Sequence, residues 1–194
     1  LSDTITNTST GVINVGTSSL RLSPIVGIYG NALNIINDGT MTVGSKSIGI
    51  YSNSADLSSE VRLGSTSTTT IGDEGTGIYK IGGIINVFGS LNVNGLLNVG
   101  TDATGTIGVY GENGVTINNN SPTTINIGDS SFGFVMAGTG NNSFNSLSGT
   151  SANLGTDSIY VYSNSTTGGL SNTITNNSTI TSSGDRNIAL YGAN

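Results

Sequence analysis

Gly27-Ile28-Tyr29, Gly49-Ile50-Tyr51, Gly77-Ile78-Tyr79, Gly108-Val109-Tyr110, Tyr160-Val161-Tyr162 and Ala189-Leu190-Tyr191 are copies of one phrase: usually a small residue, then an aliphatic one, then tyrosine. Six of the seven tyrosines close such a copy, and Gly133-Phe134-Val135 keeps the pattern without the final ring. Successive copies lie 22, 28, 31, 25, 27 and 29 residues apart. A period in this range marks a solenoid, whose repeats cannot bury their own apolar faces and must stack on their neighbours.

The phrase belongs to a longer cassette. Upstream stands an apolar–polar–apolar–Gly unit, as in Met41-Thr42-Val43-Gly44, Leu97-Asn98-Val99-Gly100, Ile125-Asn126-Ile127-Gly128 and Ala152-Asn153-Leu154-Gly155. The glycine precedes the tyrosine position by seven residues in five copies, starting from Gly44, Gly72, Gly128, Gly155 and Gly184. Gly100 to Tyr110 carries three more residues, and Gly16 to Tyr29 carries six more, including Pro24. Constant spacing inside the cassette predicts a rigid corner between two strands, with loops elsewhere.

Within each repeat, apolar and polar residues alternate. Ile35, Met41 and Val43, or Leu91, Val93, Leu97 and Val99, fall on one side of short strands, with Asn, Thr and Ser on the other. No stretch carries a helical period. Glycine (30 of 194 residues) and runs of Asn, Ser and Thr supply corners, because they tolerate positive φ or bond the local backbone. This pattern predicts an all-β parallel β-helix of about seven coils, each with two or three short strands. At about 4.8 Å per coil the rod is about 34 Å long. The variable repeat length favours the right-handed form. Asn94-Gly95 between two alternating runs is a hairpin signal, and an antiparallel sandwich also alternates. A phrase recurring in register argues for the solenoid over both.

Composition agrees. The hydrophobic fraction of 34% suits a narrow core, and with 8% charged residues the chain is not driven to disorder by self-repulsion. The net charge is −6, and Arg21, Lys46, Arg62, Lys80 and Arg186 are spread along the chain. No basic patch gathers phosphates, which argues against nucleic acid as a partner. No run approaches the length of a membrane-spanning helix, so no membrane contact is expected of this segment itself. Residues 1–194 read as a single β-helix segment. Neither end shows a polar cap of the kind solenoids use, so the segment reads as a piece of a longer rod.

Ile36-Asn-Asp-Gly-Thr-Met-Thr-Val-Gly-Ser-Lys-Ser-Ile-Gly-Ile-Tyr51 and Ile174-Thr-Asn-Asn-Ser-Thr-Ile-Thr181, followed by Ala189-Leu190-Tyr191, resemble repeats of large type V autotransporter passengers. The likeness in repeat style is greatest to the fusobacterial outer-membrane adhesins, and it covers nearly the whole chain. It implies a right-handed β-helical passenger exported through the outer membrane and displayed on a bacterial surface. The role it implies is adhesion to a host-cell or bacterial surface protein or glycan. It carries no catalytic motif onto these positions.

The residues offer little chemistry. Without histidine or cysteine, the common nucleophile–base pairs and most transition-metal sites lack their groups. Carboxylates alone can drive glycoside hydrolysis, so a carbohydrate-active enzyme or phage tail-fibre depolymerase on the same scaffold is the alternative. Here the acids are dispersed and tryptophan is absent, so no catalytic, cofactor or metal residue is assigned and no enzyme is expected. Asp73-Glu74 in a glycine-rich turn is the best cation candidate, but a solvated corner, equivalent to Ser45-Lys46 and Asp129-Ser130, explains it better. Strand alternation puts the aliphatic residue of each phrase inside and the tyrosine outside, as a structural ladder more than a ligand stripe. Asn31, Asn53 and Asn164, each two residues after a tyrosine, are expected in a turn ladder. The stretches Leu20–Gly27, Ser52–Thr70 and Phe144–Thr150 read as irregular. The middle one, with Asp56, Glu60 and Arg62, is expected to project and to be the first place to look for a contact.

Overall fold

The computed structural model describes residues 3–31, 34–54, 56–94, 105–164 and 171–193. Three seven-stranded parallel sheets form the walls of a β-helix, and no helix occurs among these residues. The first wall is built from Thr4–Asn7, Asn34–Asn37, Glu60–Leu63, Ile84–Val87, Thr116–Asn119, Ser143–Ser146 and Thr173–Asn176. The second runs through Val12–Val15, Thr40–Val43, Thr68–Ile71, Ser90–Val93, Thr124–Ile127, Ser151–Leu154 and Thr179–Ser182. The third is Val26–Gly30, Ile48–Ser52, Thr76–Ile81, Ile107–Glu112, Phe132–Ala137, Ile159–Asn164 and Ile188–Ala193. The chain makes about six turns, close to the seven coils expected. With seven strands per wall there are six steps between rungs, or a stack of about 29 Å.

Alternation decides which side chains fill the interior. In Thr40-Met41-Thr42-Val43, for example, Met41 and Val43 are buried while both threonines face solvent. Register then stacks like on like: Ile35, Val61, Ile85, Ile117 and Phe144 share one column of the first wall. Every pairing between described strands is parallel, so the Asn94-Gly95 signal makes no hairpin among them.

The third wall explains the repeated phrase. Ile28, Ile50, Ile78, Val109, Phe134, Val161 and Leu190 stand in register. The first six are buried, as the alternation predicts. Leu190 keeps its place but is 45% exposed, because no further rung lies over it among the described residues. Just before the aliphatic residue, the wall passes close to the second. A Cβ on Gly77 would lie 2.6 Å from the carbonyl oxygen of Gly108 and 2.6 Å from Ile71 Cδ1. Glycine therefore holds this position in five successive rungs, Gly27, Gly49, Gly77, Gly108 and Gly133. In the sixth rung the residue is Tyr160, fully buried, and the facing column shrinks to Ala152 where Met41, Leu91 and Ile125 stand elsewhere. The ring packs on Phe134 and Phe144, and its hydroxyl accepts a bond from Asn119 Nδ2 at 2.9 Å.

The corner between the second and third walls is the constant element of the cassette. Main-chain N–H groups of Gly44, Gly72, Asn94, Gly128, Gly155 and Ser183 each donate to the carbonyl of the preceding rung's last second-wall residue. Asn94 thus takes the glycine position in its rung, while in the last rung Ser183 makes this hydrogen bond and Gly184, two residues before Arg186, lies against Gly155. The strand that enters the wall is Leu91-Asn92-Val93, while Leu97-Asn98-Val99-Gly100 lies outside the described residues. Lys46, Glu74, Ser130, Asp157 and Arg186 all turn this corner with φ between 51° and 56°. The left-handed conformation is set here by the stack, not by glycine.

Candidate functional site

Among the described residues, no three acids, or acids with His or Cys, gather where they could hold a metal ion. Asp73 and Glu74 lie on the corner just described. The Asp73 carbonyl accepts the Lys46 N–H, the Glu74 N–H donates to Thr106 Oγ1 at 3.0 Å, and the Glu74 carboxylate lies 3.7 Å from Arg21 Nε. These contacts tie Asp73 into the corner through its backbone and set the Glu74 carboxylate beside a loop cation. One rung pair at the same corner carries a bidentate bridge, in which Arg186 Nε donates to Asp157 Oδ1 at 2.6 Å. The guanidinium holds the Asp157 carboxyl below its usual range and is itself pushed up.

The outer surface of the third wall is aromatic. Tyr29, Tyr51, Tyr79 and Tyr110 stack in register with centroid distances of 5.5, 5.1 and 4.8 Å. Val135 interrupts the column, and Tyr162 and Tyr191 resume it at 5.1 Å. Tyr79 and Tyr110 hydroxyls donate to Glu112 at 3.1 and 3.4 Å. Burial, and then the nearby carboxylate, push both phenols above their ordinary range. Where rings stack face to face along the axis, as Tyr79 and Tyr110 do at 20°, they show their edges outward and offer no flat platform for a sugar ring. A recess of about 210 Å³ lies beside this ladder, bordered by Arg21, Pro24, Lys46, Glu74, Tyr79 and Ile107.

Asparagine ladders exist, but not after the tyrosines. Asn31 and Asn53 stand on neighbouring rungs, but the column continues through Ile81, Glu112 and Ala137 before Asn164, so no continuous amide ladder runs there. The ladders run instead on the outsides of the first two walls. Asn145, Asn118 and Asn86 donate in series to Asn118, Asn86 and Glu60 at 3.2, 3.0 and 2.8 Å. Asn153 and Asn126 donate to Asn126 and Asn92, both at 2.8 Å. Of these, Asn126 and Asn153 are the centres of apolar–polar–apolar units quoted above.

Two of the three stretches read as irregular contain wall strands. Ser52–Thr70 contains the strand Glu60–Leu63 and the start of Thr68–Ile71, with Val61 and Leu63 in the core. Its polar strand Glu-Val-Arg-Leu hid an ordinary alternation. The corner before Glu60 carries Leu57 at 71% exposure and Asp56, whose carboxylate accepts from the Ser58 N–H and hydroxyl, both at 2.8 Å. Those bonds lower the Asp56 pKa. Phe144 is buried in a strand, leaving a turn at Leu147–Thr150. Leu20–Gly27 begins as a loop, with Leu22 98% exposed, and joins the third wall at Val26.

Sequence reading missed Lys80. It sits directly after Tyr79, fully buried, with Nζ donating to Ser59 Oγ at 2.7 Å and Ser52 Oγ at 3.1 Å. Burial lowers its pKa to about 8, offset in part by the Asp56 carboxylate. The signal was its in-register partner Ser52, a residue that faces inward.

No family model, no curated protein and no solved structure matches the chain.

Proposed function

We propose that this chain is a non-catalytic structural and adhesive segment of a bacterial surface protein, a rod of the autotransporter passenger kind exported through the outer membrane. The observation that carries this reading is the continuity of its side-chain ladders. Asparagine, threonine and tyrosine columns run in register along the outer walls, while aliphatic columns fill the interior. Such a body extends by repetition and holds its loops at fixed distances from an anchor. Its partner is a host-cell or bacterial surface protein or glycan, met on the outer walls or on corners such as those bearing Leu22 and Leu57. Dispersed acids and the uncharged second wall weigh against nucleic acid and against carbohydrate turnover.

The test is attachment. Beads coated with the chain should adhere to target bacteria or epithelial cells, and Leu22→Ser or Leu57→Ser should reduce adhesion at unchanged melting temperature. Release of reducing ends from a polysaccharide, abolished by replacing one acid, would overturn the reading in favour of an enzyme.

A further inference from the structure

The second wall differs from the others in the uniformity of its outer face. Its outward positions form two columns. One runs Val12, Thr40, Thr68, Ser90, Thr124, Ser151, Thr179, and the other Asn14, Thr42, Thr70, Asn92, Asn126, Asn153, Thr181. Apart from Val12, every one is threonine, serine or asparagine. None of the seven strands contains a charged or aromatic residue. The first wall, by contrast, places Glu60, Arg62, Ile36 and Ile84 outward, and the third is aromatic.

Register turns this composition into a lattice. Neighbouring rungs are about 4.8 Å apart, and the two columns, two residues apart along each strand, are about 6.7 Å apart. Threonine is stiff at χ1, so its hydroxyl and methyl keep fixed directions. Asn92, Asn126 and Asn153 are fixed by their bonds to one another at 2.8 Å. A regular two-dimensional array of small neutral groups is matched by a partner that is itself periodic in two dimensions. Two such partners are common: crystalline polysaccharide and ice. Crystalline polysaccharide is gripped through aromatic platforms, which this wall lacks. Ice presents rows of oxygens with repeats close to these two distances. Hydroxyls and amides so spaced order water in the same rows, whereas charged groups would draw it into shells around themselves.

We infer that the outer face of the second wall is a surface for ice, the array at Thr40, Thr42, Thr68 and Thr70 being its most regular part. The test uses the whole chain. Fluorescently labelled protein should partition into a slowly growing ice hemisphere and should suppress recrystallisation of fine-grained ice. Thr42→Lys/Thr70→Lys should abolish both effects at unchanged melting temperature, and Thr175→Lys on the first wall should leave both intact. Thr42→Tyr/Thr70→Tyr, uncharged and strand-favouring, should abolish them by breaking the uniformity of the small groups alone. Exclusion of the wild-type protein from ice, equal partition of all variants, or retention on microcrystalline cellulose or chitin without ice partition would each overturn the inference.

Discussion

Replacing Lys80 with methionine should stabilise the protein below pH 8 and lose that advantage as pH rises. Lys80 is fully buried, and its ammonium is met by two serine hydroxyls and no carboxylate at bonding distance. Burial brings its pKa from 10.5 to about 8. At roughly 1.4 kcal/mol per pH unit of difference, charging it inside the fold costs at most about 3 kcal/mol at neutral pH. Methionine removes that cost but leaves Ser52 and Ser59 without a donor, returning about 1–2 kcal/mol. A net gain of about 1–2 kcal/mol is expected at pH 7. The sign of the pH dependence follows from proton counts. Between about pH 8 and 10.5 the unfolded chain keeps a proton that the folded chain has released, so wild-type stability rises with pH while the variant's stays flat. Above about pH 10 the slope reverses. Tyr79 and Tyr110 then hold protons that the unfolded chain gives up. Urea denaturation at pH 7, 8, 9 and 10, followed by tyrosine fluorescence, measures both curves. A wild type whose stability is level from pH 7 to 10, or a methionine variant less stable than wild type at pH 7, would refute the reasoning.

Gly77→Ala should cost about 2–3 kcal/mol, because its Cβ would meet a backbone oxygen and the Ile71 side chain at once. Gly192→Ala, where nothing lies within 4 Å, should change the melting temperature little. Lys46→Gly should stabilise by about 1 kcal/mol by relieving a left-handed non-glycine residue, and Lys46→Val should destabilise, both read by denaturant midpoint. Tyr51→Ser removes ring contacts to Tyr29 and Tyr79 and should cost about 1–3 kcal/mol; a value near zero would mean the ladder is decorative.

What the sequence made legible was the stacking, because stacking repeats a local pattern. The buried column from Ile28 to Val161 and the tyrosine column beside it could be aligned by eye. Register was harder wherever two segments fitted the same template. Leu91-Asn92-Val93 and Leu97-Asn98-Val99 are equally good strands, and only hydrogen bonding to Ile71 and from Gly128 selects the first. Glu60–Leu63 was read as a loop because charge masked its alternation, although its outward Arg62 lies against Phe88, 5.9 Å from the ring centroid, and 3.5 Å from Asp38. Lys80 stayed hidden for the opposite reason. A lysine after a tyrosine suggests solvent, yet the same alternation that puts Ile78 inside and Tyr79 outside carries Lys80 back inside. The outer array of the second wall was visible only as scattered threonines until the turns brought them together.

Because the strands run around the body, the hydrogen bonds that join its rungs point along its length. A pull between the two ends therefore does not shear many bonds at once, as it would in a sheet loaded along its strands. It opens the three short strands of a single terminal rung and leaves the rest intact. Each released turn frees between 22 and 31 residues, about 75–105 Å of extended chain in place of about 4.8 Å of stacked rise. Under tension the molecule would thus lengthen in discrete steps at nearly constant force.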